Sequence, residues 1–522
     1  MNRTNRILVA CFRIWQFALA PAVLALGLAA CAPVPLDAPK PVSRALSPDG
    51  STLLQVNAQR VTQGNPAGVS SLVTLEDGNV ALGARLRLIE RAQKSIDLQY
   101  FLMKPDLGGA LVLTALLDAA DRGVRVRFLL DDVFTTMPDH ALGLLDVHPG
   151  IEMRIFNPSP RPGWKAAGFV TDFSRVNRRM HNKSFIADGA WAIVGGRNIA
   201  DEYFQIDTSS EFADFDMLVV GPSVQGISAS FDHYWNDGWS VPMDQLRPEP
   251  SPDDLADARS DLMARLEPAR GVYEHAIDDP FFRRLRAGEI RVFQGKVEVV
   301  VDDPAKLKVP VPEGQKILAQ DLLTRMKYAK KRVVLLTPYF VPEDYGAQLF
   351  SDLAARGVRV QIVTNSLGST NHAYVHAGYK RHRQALLAAG VELYEIRSDA
   401  PQALGLVPED TETGVVMHTK LAVIDDDQVF VGSLNLDPRS IKQNTEFGIF
   451  VRSRAFAGAL WSALEEDLQL FTYRVAAAPD GDLRWHYEAP SAASVTDREP
   501  GATTWKNFVV GITALLGIEE QL

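Results

Sequence analysis

From about residue 80 onward, the chain alternates between stretches with a helical apolar pattern and short extended apolar runs. Leucine and isoleucine recur on one face of Leu82–Gln93, which predicts a helix, and Ser95–Leu102 then predicts a strand. A second helix over Gly109–Asp121 and a strand over Val124–Leu130 follow. Strand, helix and strand in this order predict a right-handed parallel crossover, the unit of an α/β fold.

The second half of the chain repeats this plan. A strand over Lys331–Pro338 leads into Tyr339, as the first strand leads into Tyr100, and the tripeptide Arg-Gly-Val at 122–124 returns at 356–358. The tyrosines are 239 residues apart, the tripeptides 234, and the histidines of the motif described below 237. A nearly constant displacement indicates that one fold occurs twice.

We therefore predict an α/β protein with two similar domains, each a mixed sheet flanked by helices, related by a pseudo-two-fold axis. The expected bounds are residues 80–244 and 291–475, with Val297–Val301 beginning the second sheet. The linker at 245–290 includes a stretch rich in Pro, Asp and Ala, Arg247–Arg270, in which we expect a short helix.

The N-terminal residues carry the pattern of an export signal. Three arginines precede an apolar run from Ile14 to Ala30, which predicts a secretory signal over residues 1–31. The run ends in Leu-Ala-Ala-Cys31, which resembles a bacterial lipobox with a lipidated cysteine. An uncleaved membrane anchor is the alternative. Five prolines between residues 32 and 50 predict an extended, semi-rigid tether.

The C-terminal segment, 500–522, predicts a helix with one apolar face. It is too short to span a membrane. The face either lies in the lipid interface or packs on its own domain, and the pattern does not separate these two possibilities. The apolar positions are Trp505, Phe508, Val509, Ile512, Leu515 and Leu516.

Composition narrows the range of functions. The 522 residues are 46% hydrophobic, enough to fill the cores of two domains. With 54 basic and 64 acidic residues the net charge is -10, which argues against nucleic acid as the main partner. The two cysteines, Cys11 and Cys31, both precede the folded body, so no disulfide framework is expected there.

A His-x-Lys-x4-Asp motif occurs twice and supplies the candidate chemistry. Residues two apart in an extended strand share a face, so each His and Lys can reach the same substrate group. After six further residues, each copy continues with a glycine and then an asparagine three positions later. Two full copies are far harder to attribute to chance than one. The motif residues are His181, Lys183 and Asp188, then His418, Lys420 and Asp425.

These motifs resemble the phospholipase D superfamily. The string M-H-N-K-S-F, followed by G-G-R-N-I-A-D-E-Y-F, is similar to the bacterial cardiolipin synthases, especially their C-type branch. The resemblance extends from about Val80 to the C-terminus. It implies two phospholipase D-like domains with facing motif strands, a covalent phosphohistidine and transfer of a phosphatidyl group to an alcohol or water. It implies no metal and no cofactor.

The residue types fit this chemistry. Cleavage of an anionic phosphodiester needs charge neutralisation, a nucleophile and a proton donor. The two lysines and the amides of Asn198 and Asn435 can hold the phosphate oxygens. One imidazole can attack phosphorus while the other donates a proton.

Carboxylates are expected to orient the histidines. Glu446 matches the family's orienting acid, and Asp214 is the best equivalent in the first half, with Asp216 as a competitor. A solvated charge at a strand end is the alternative for each. We expect Asp188 and Asp425, although they belong to the motifs, to be structural and to hold the motif's backbone or the opposite half rather than contact substrate.

Further residues are weaker candidates. Ser433 and Leu434 of the second copy are replaced by Gly196 and Arg197 in the first, so the first pocket lacks a hydroxyl and can gain a cation. Two tyrosines at strand ends, Tyr100 and Tyr339, are pocket candidates or core residues. Two histidines, His372 and His376, have the spacing of zinc ligands on a helix, but without a third ligand a structural or pocket-lining role is favoured.

The leading hypothesis is a phosphatidyltransferase that moves a phosphatidyl group from phosphatidylglycerol or phosphatidylethanolamine to phosphatidylglycerol. The alternatives are a phospholipase D that produces phosphatidic acid, a phosphodiester nuclease, and a lipid-binding protein without catalysis. We expect a monomer that is exported and held by Cys31 on a bacterial membrane, facing the periplasm. Its expected partners are phospholipids and the membrane surface.

Overall fold

The computed structural model describes residues 34–161, 172–206, 210–247, 250–267, 271, 281–309, 317–405, 414–490 and 492–516. The predicted signal with Cys31 lies outside these residues. For Leu515 and Leu516 the backbone is described but the side chains are not.

The strands form two similar sets. Those of the first half are β1 (Val69–Leu75), β2 (Ser95–Tyr100), β3 (Arg125–Asp131), β4 (Ile151–Phe156), β5 (Ser184–Ala187), β6 (Trp191–Gly195), β7 (Ser210–Ala213), β8 (Asp216–Val220) and β9 (Ser240–Pro242). Those of the second half are β10 (Phe293–Val301), β11 (Arg332–Leu336), β12 (Arg359–Asn365), β13 (Glu392–Ile396), β14 (Gly414–Met417), β15 (Leu421–Ile424), β16 (Gln428–Gly432), β17 (Phe447–Arg452), β18 (Thr472–Ala477), β19 (Leu483–Ala489) and β20 (Ala492–Thr496).

Helices flank these strands. In the first half they are α1 (Leu53–Val61), α2 (Gly78–Arg91), α3 (Leu107–Asp121), α4 (Asp139–Asp146), α5 (Phe173–Val176), α6 (Asp201–Phe204) and α7 (Val224–Trp235). The linker contains α8 (Pro252–Leu266) and α9 (Phe281–Ala287). In the second half they are α10 (Ala305–Lys308), α11 (Leu318–Lys327), α12 (Glu343–Ala355), α13 (Ala373–Ala388), α14 (Ala400–Ala403), α15 (Pro438–Lys442), α16 (Arg454–Phe471) and α17 (Thr504–Leu516).

Eighteen strands join into one continuous sheet. The order is β9-β4-β3-β2-β5-β6-β8-β1 in the first half, continued by β10-β17-β16-β15-β11-β12-β13-β18-β19-β20 in the second. The parallel triplets β2-β3-β4 and β11-β12-β13 are the predicted crossovers. The antiparallel pair of β1 and β10 connects the halves, so the two sheets are one unit.

Strand register corrects one predicted equivalence. Ile96 lies opposite Ala187, and Val333 lies opposite Ile424, so β2 and β11 are separated by 237 residues, as the motif histidines are. The two tyrosines, which are 239 residues apart, are therefore not equivalent positions of the repeat. The equivalent of Tyr100 is Thr337, and Tyr339 lies two positions further on, in the loop after β11.

The interior also joins the halves. A central apolar cluster takes residues from both, including Phe156 and Trp235 from the first half and Leu421 and Trp461 from the second. Each half has a further cluster under its own helices. Because the central cluster lies between the half-sheets, separating them would expose a large apolar area and cost many kcal/mol.

The described part of the predicted tether lies against the first half. Residues 34–49 form no helix or strand, which agrees with their proline content. Lys40 Nζ donates to the carbonyl oxygens of Asp237 and Ser240 at 2.5 Å each, and Ser43 Oγ accepts from Trp235 Nε1 at 2.8 Å. This segment is therefore bound to the body over most of its length and does not extend away from it as a spacer.

The C-terminal helix α17 packs on its own domain, one of the two predicted possibilities. It packs on α13 through Val510, which is buried with Leu367 and Ala377. On its outer side Trp505 and Ile512 are 70% and 41% exposed. In the described part of the chain, no helix is both long and apolar enough to cross a membrane.

Candidate active site

A polar side chain at the end of the second parallel strand fixes the start of each motif. In the first half, Asp131 accepts from the backbone N–H of Met180 at 2.9 Å and from Arg179 Nε at 2.8 Å. In the second half, Asn365 Oδ1 accepts from the backbone N–H of Met417 at 2.9 Å. The two side chains hold the chain immediately before each motif histidine. Their separation of 234 residues, equal to that of the Arg-Gly-Val tripeptides, was the sequence signal for this pair.

The backbone at each motif histidine is hydrogen-bonded to the other half of the chain. The N–H of His181 donates to the carbonyl of Thr445 at 2.9 Å, and the N–H of His418 donates to the carbonyl of Ala213 at 2.8 Å. The strand β14 before the second motif also pairs in parallel with β7 of the first half. Thr445 and Ala213 are each followed by one of the predicted acids, so the crossing places these acids beside the histidines.

Each histidine is consequently paired with the carboxylate of the opposite half. Nδ1 of His181 lies 2.9 Å from Oε2 of Glu446, and Nδ1 of His418 lies 2.6 Å from Oδ2 of Asp214. A carboxylate at Nδ1 fixes the tautomer with Nδ1 protonated and leaves Nε2 free to react. The sequence predicted both acids, but linear spacing contains no sign of the exchange between halves.

Asp216, the competitor of Asp214, lies elsewhere. Its carboxylate is fully buried and ion-paired with Arg85 Nη2 at 2.7 Å. Tyr100 belongs to the same buried group, because its hydroxyl accepts from Arg85 Nε at 3.0 Å and its side chain is only 1% exposed. The placement of Tyr100 in the pocket is therefore wrong, and the residue is part of the core.

The two acids differ in their second contact. Oε2 of Glu446 also accepts from the hydroxyl of Ser433 at 2.5 Å. Asp214 has no such neighbour because Gly196 occupies the equivalent position, where a Cβ atom would lie 2.2 Å from Oδ1 of Asp214. Glycine is needed there because the shorter acid fills the space that the serine hydroxyl takes in the other half.

Arg197 does not add a cation to the first pocket. Its guanidinium is fully buried and donates to carbonyl oxygens of Leu75, Tyr203 and Asp214 at 2.7 to 3.0 Å. It holds together the backbone around Asp214. The expectation of an extra pocket charge is wrong because the side chain points into the domain.

Both motif lysines are buried beside the histidines. Lys183 Nζ donates to the carbonyl of His181 at 2.6 Å, and Lys420 Nζ donates to that of His418 at 2.5 Å. Burial lowers the pKa of Lys183 to about 7 and that of Lys420 to about 8. Loss of hydration disfavours the ammonium form, and an anion bound between the lysines would restore it.

The same environment shifts the histidines and acids. Burial, followed by the charges of Lys183 and Lys420, lowers the pKa of both His181 and His418 well below the usual value. Burial raises the pKa of Glu446 to about 7 and also raises that of Asp214. The site therefore favours uncharged imidazoles at neutral pH, as a nucleophile requires.

The asparagines of the Gly-x-x-Asn tails complete the polar wall. Asn198 Nδ2 donates to the hydroxyl of Tyr203 at 2.9 Å. The Oδ1 atoms of Asn198 and Asn435 are buried without a hydrogen-bond partner among the described residues. Such unsatisfied groups are uncommon and are typical of sites that are completed by a ligand or water.

Aromatic rings that the sequence reasoning missed surround the imidazoles. The ring of Phe101 lies 4.6 Å from that of His181, and Lys183 Nζ lies 5.1 Å from the same phenyl ring. Tyr203 and Phe212 lie 5.2 and 5.4 Å from the ring of His418. The only sequence signal was that Phe101 lies near the end of the predicted strand Ser95–Leu102. These rings limit the access of water to the site.

The aspartates of the motifs are remote from this cluster. Asp188 accepts from the backbone N–H groups of Gln93, Lys94 and Ser95 at 2.8 to 3.1 Å. Asp425 accepts in the same way from Lys330, Lys331 and Arg332 at 2.7 to 3.3 Å. Each carboxylate anchors the start of β2 or β11 within its own half, so neither stands where a substrate could be bound. The expectation that they hold the motif's own backbone or the opposite half is wrong, because their partners lie at the start of the neighbouring strand of the same half.

The remaining candidates lie at the rim. The hydroxyl of Tyr339 donates to Asn371 Oδ1 at 2.9 Å, and the Tyr339 ring lies 5.4 Å from that of His372. His376 is instead buried, with Nε2 2.7 Å from Oε1 of Glu499. Among the described residues, His, Cys, Asp and Glu side chains form no group of three that could hold a metal.

Comparison with known proteins agrees with this geometry. A family model described as "Cardiolipin synthase, PLD-like domain" matches residues 86–235 and again 322–468. Cardiolipin synthase C of Escherichia coli (strain K12) is 36% identical over 457 residues, 87% of this chain and 96% of that protein. Cardiolipin synthase 1 of Bacillus cereus is 25% identical over 397 residues, 74% of this chain and 64% of that protein.

A solved structure shares the fold. The crystal structure of phosphatidylserine synthase from Haemophilus influenzae Rd KW20 superposes with a TM-score of 0.57 over 90% of this chain and all of that one, at 13% identity. The prediction of an α/β fold with two phospholipase D-like domains is confirmed.

The first prediction separates the orienting acids from the motif aspartates. Glu446→Gln should lower turnover of a phospholipid by at least about a hundredfold, because the amide cannot stabilise an imidazolium at His181. Asp425→Asn should instead lower the free energy of unfolding by about 2 kcal/mol and leave the folded enzyme active. Initial rates and thermal unfolding measure both. A dead but stable Asp425→Asn beside a fully active Glu446→Gln would reverse the two roles.

The second prediction uses the unequal positions beside the acids. Gly196→Ala should lower turnover by at least about a hundredfold, because the new methyl group displaces Asp214 from His418. Ser433→Ala removes one hydrogen bond from Glu446 and should cost about tenfold. Rates are compared for folded protein with matched circular dichroism. Equal losses in the two variants would show that the Gly196 contact is unimportant.

Proposed function

The chain belongs to the cardiolipin synthase family with phospholipase D-like domains, and we propose that it transfers a phosphatidyl group to phosphatidylglycerol to form cardiolipin. It is an enzyme of the phosphatidyltransferase type. The proposed donor is phosphatidylglycerol or phosphatidylethanolamine, and the proposed acceptor is the free glycerol hydroxyl of a phosphatidylglycerol. One chain contains both motifs, so the proposed active unit is a monomer.

One observation carries the proposal: the two crossed histidine-carboxylate pairs lie in the same buried site as two lysines. The lysine ammonium groups and the side-chain NH2 groups of Asn198 and Asn435 can donate hydrogen bonds to the oxygens of a phosphodiester. The histidines supply a nucleophile and a proton donor. These side chains cover the nucleophile, the proton donor and the phosphate-binding groups that such a transfer needs.

The reaction would proceed in two steps. Nε2 of one imidazole attacks phosphorus, the bond from phosphorus to the headgroup oxygen breaks, and the leaving oxygen takes a proton from the other imidazole. In the second step the acceptor hydroxyl attacks phosphorus and gives its proton to that second imidazole. The phosphorus–nitrogen bond breaks, and its electron pair returns to Nε2. The products are cardiolipin and the free headgroup alcohol.

Protonation of the second imidazole has a structural cause. Burial and the lysine charges by themselves disfavour an imidazolium. A bound phosphodiester adds a negative charge that offsets the lysines, and the carboxylate on Nδ1 stabilises the cation. Substrate binding therefore prepares the proton donor.

We also propose that the enzyme is exported and attached to a membrane through lipidated Cys31, facing the periplasm. The mass of the mature N-terminus tests this directly, and an unmodified Cys31 would contradict it. The outer face of α17 would be a second contact with the bilayer. Lys506 Nζ donates to the carbonyl oxygens of Leu367 and Gly368 at 2.7 and 3.1 Å, which fixes α17 beside the loop that leads to Asn371 and the rim of the site.

The third prediction concerns the product. Purified enzyme with labelled phosphatidylglycerol in vesicles should form cardiolipin and glycerol, and mass spectrometry identifies both. His181→Ala and His418→Ala should each abolish turnover while the fold remains intact, because each imidazole has a separate duty.

This assay has two controls: a folded variant without catalytic activity, and vesicles without protein. Phosphatidic acid as the sole product would support the alternative hydrolase, in which water resolves the same intermediate. Near wild-type rates in either histidine variant would disprove the two-histidine mechanism.

The fourth prediction concerns the membrane contact of α17. In a chain without residues 1–31, replacing both Trp505 and Phe508 with serine should weaken vesicle binding by at least about tenfold, because each ring contributes roughly 1.5 to 3 kcal/mol when buried in lipid. Sedimentation with phosphatidylglycerol vesicles measures the binding.

Tyr328→Ser is the matched control. Tyr328 is 71% exposed and lies before the first residue of β11, at the end of that strand that is away from His418 and Lys420. Its loss should not change binding. Equal binding by the double variant and the parent chain would show that α17 does not contact the bilayer.

A further inference from the structure

One cation beside the site has no carboxylate partner. Arg439 belongs to α15, which begins three residues after Asn435. Its Nη1 donates to Asn177 Oδ1 and its Nη2 to the Asn177 carbonyl, both at 2.9 Å. Both acceptors are neutral, and Arg439 forms no ion pair with any carboxylate that the structure describes. By contrast, Arg179 is ion-paired with Asp131 at 2.8 Å. The guanidinium of Arg439 is therefore held by neutral acceptors, while the carboxylates of Asp437 and Asp131 act on its charge only through space.

Arg439 lies where the two halves meet at the edge of the site. Asn177 is four residues before His181 in the first half, while Arg439 itself is in the second half. The guanidinium is half-buried, so part of it remains accessible. Its charge contributes to lowering the pKa of both His181 and His372, after the larger effect of burial. It is close to the reacting imidazole on one side and to the rim on the other.

Two rings, one of them well exposed, lie at the rim beside Arg439. The rings of His372 and Tyr374 lie 5.3 Å apart, and Tyr374 is 41% exposed. The phenol of Tyr374 also responds to the charge of Arg439, which lowers its pKa against the dominant raising effect of burial. An accessible guanidinium next to two rings with polar edges is a suitable surface for a phosphate and a glycerol unit.

The proposed reaction requires such a cation. Phosphatidylglycerol is an anion, so an acceptor of this kind brings a second phosphate to a site whose lysines already hold the first. That second phosphate is separated from the attacking hydroxyl by the three carbons of glycerol. It must lie outside the lysine pair but near it, and without a counter-charge it would be repelled by the donor phosphate.

We propose that Arg439 binds the phosphodiester of the acceptor phospholipid and thereby favours an anionic lipid over water or a neutral alcohol as the acceptor. This inference rests on the proposed transfer to phosphatidylglycerol. It assigns Arg439 to substrate binding, with His372 and Tyr374 beside the bound headgroup.

Competition between acceptors tests the role of Arg439. The vesicles contain phosphatidylethanolamine with labelled acyl chains as the donor and a subsaturating amount of phosphatidylglycerol as the lipid acceptor. Free glycerol in the buffer is the competing neutral acceptor. Mass spectrometry follows labelled cardiolipin, labelled phosphatidylglycerol and phosphatidic acid. Arg439→Gln should reduce cardiolipin formation by at least about tenfold through a higher KM for the lipid acceptor. Products of water and glycerol should stay within about threefold of the parent, because neither acceptor carries a charge.

Two further variants give the controls. Lys442→Gln removes an exposed cation from the same helix, one that is paired with Glu343 at 2.7 Å, and should not change the product ratio. Arg439→Lys keeps the charge and should restore part of the cardiolipin yield. Unchanged cardiolipin in Arg439→Gln would overturn the inference. An equal fall of all products with unchanged thermal unfolding would also overturn it and would assign Arg439 to the donor phosphate. A parent enzyme that forms phosphatidic acid but no cardiolipin would overturn the proposed function and this inference with it.

Discussion

The exchange of acids between the two halves is the constraint on which the rest of the structure depends. His181 needs Glu446 at 2.9 Å, and His418 needs Asp214 at 2.6 Å, and in each pair the residues come from different halves. A shift of one half by about 1 Å would break both pairs and impair the chemistry. The continuous sheet through β1 and β10 and the shared apolar cluster hold the halves at this distance. The tightly joined halves are thus a requirement of the site.

Sequence reasoning was strong where the chain determines the result locally. Residues two apart in extended backbone share a face, so the pairing of each motif His and Lys followed from their spacing, although both residues lie just before β5 or β15 rather than on the strand. That Asp188 and Asp425 are structural was also accessible, but their partners were not, because these lie 93 to 95 residues earlier at the starts of β2 and β11. The exchange of Glu446 and Asp214 was not accessible, since no local pattern records which half a side chain faces.

Other errors have the same origin. Tyr100 and Arg197 were expected near the pocket because of their positions beside motif elements, but both point into the first domain. The strand register makes Thr337, rather than Tyr339, the equivalent of Tyr100 in the second repeat. This register depends on pairing between distant segments. The tether prediction failed for a related reason: proline content predicts an extended backbone but does not say whether that backbone binds to the body.

The crossed pairing can be observed directly. Histidine side chains labelled with ¹⁵N report the state of Nδ1 by NMR, and the two signals can be assigned with His181→Ala and His418→Ala. In Glu446→Gln, we expect a large change in the Nδ1 signal of His181 and an unchanged signal from His418, which lies 237 residues further along the chain than His181 and in the same half as Glu446. A change confined to His418 would contradict the exchange of acids between the halves.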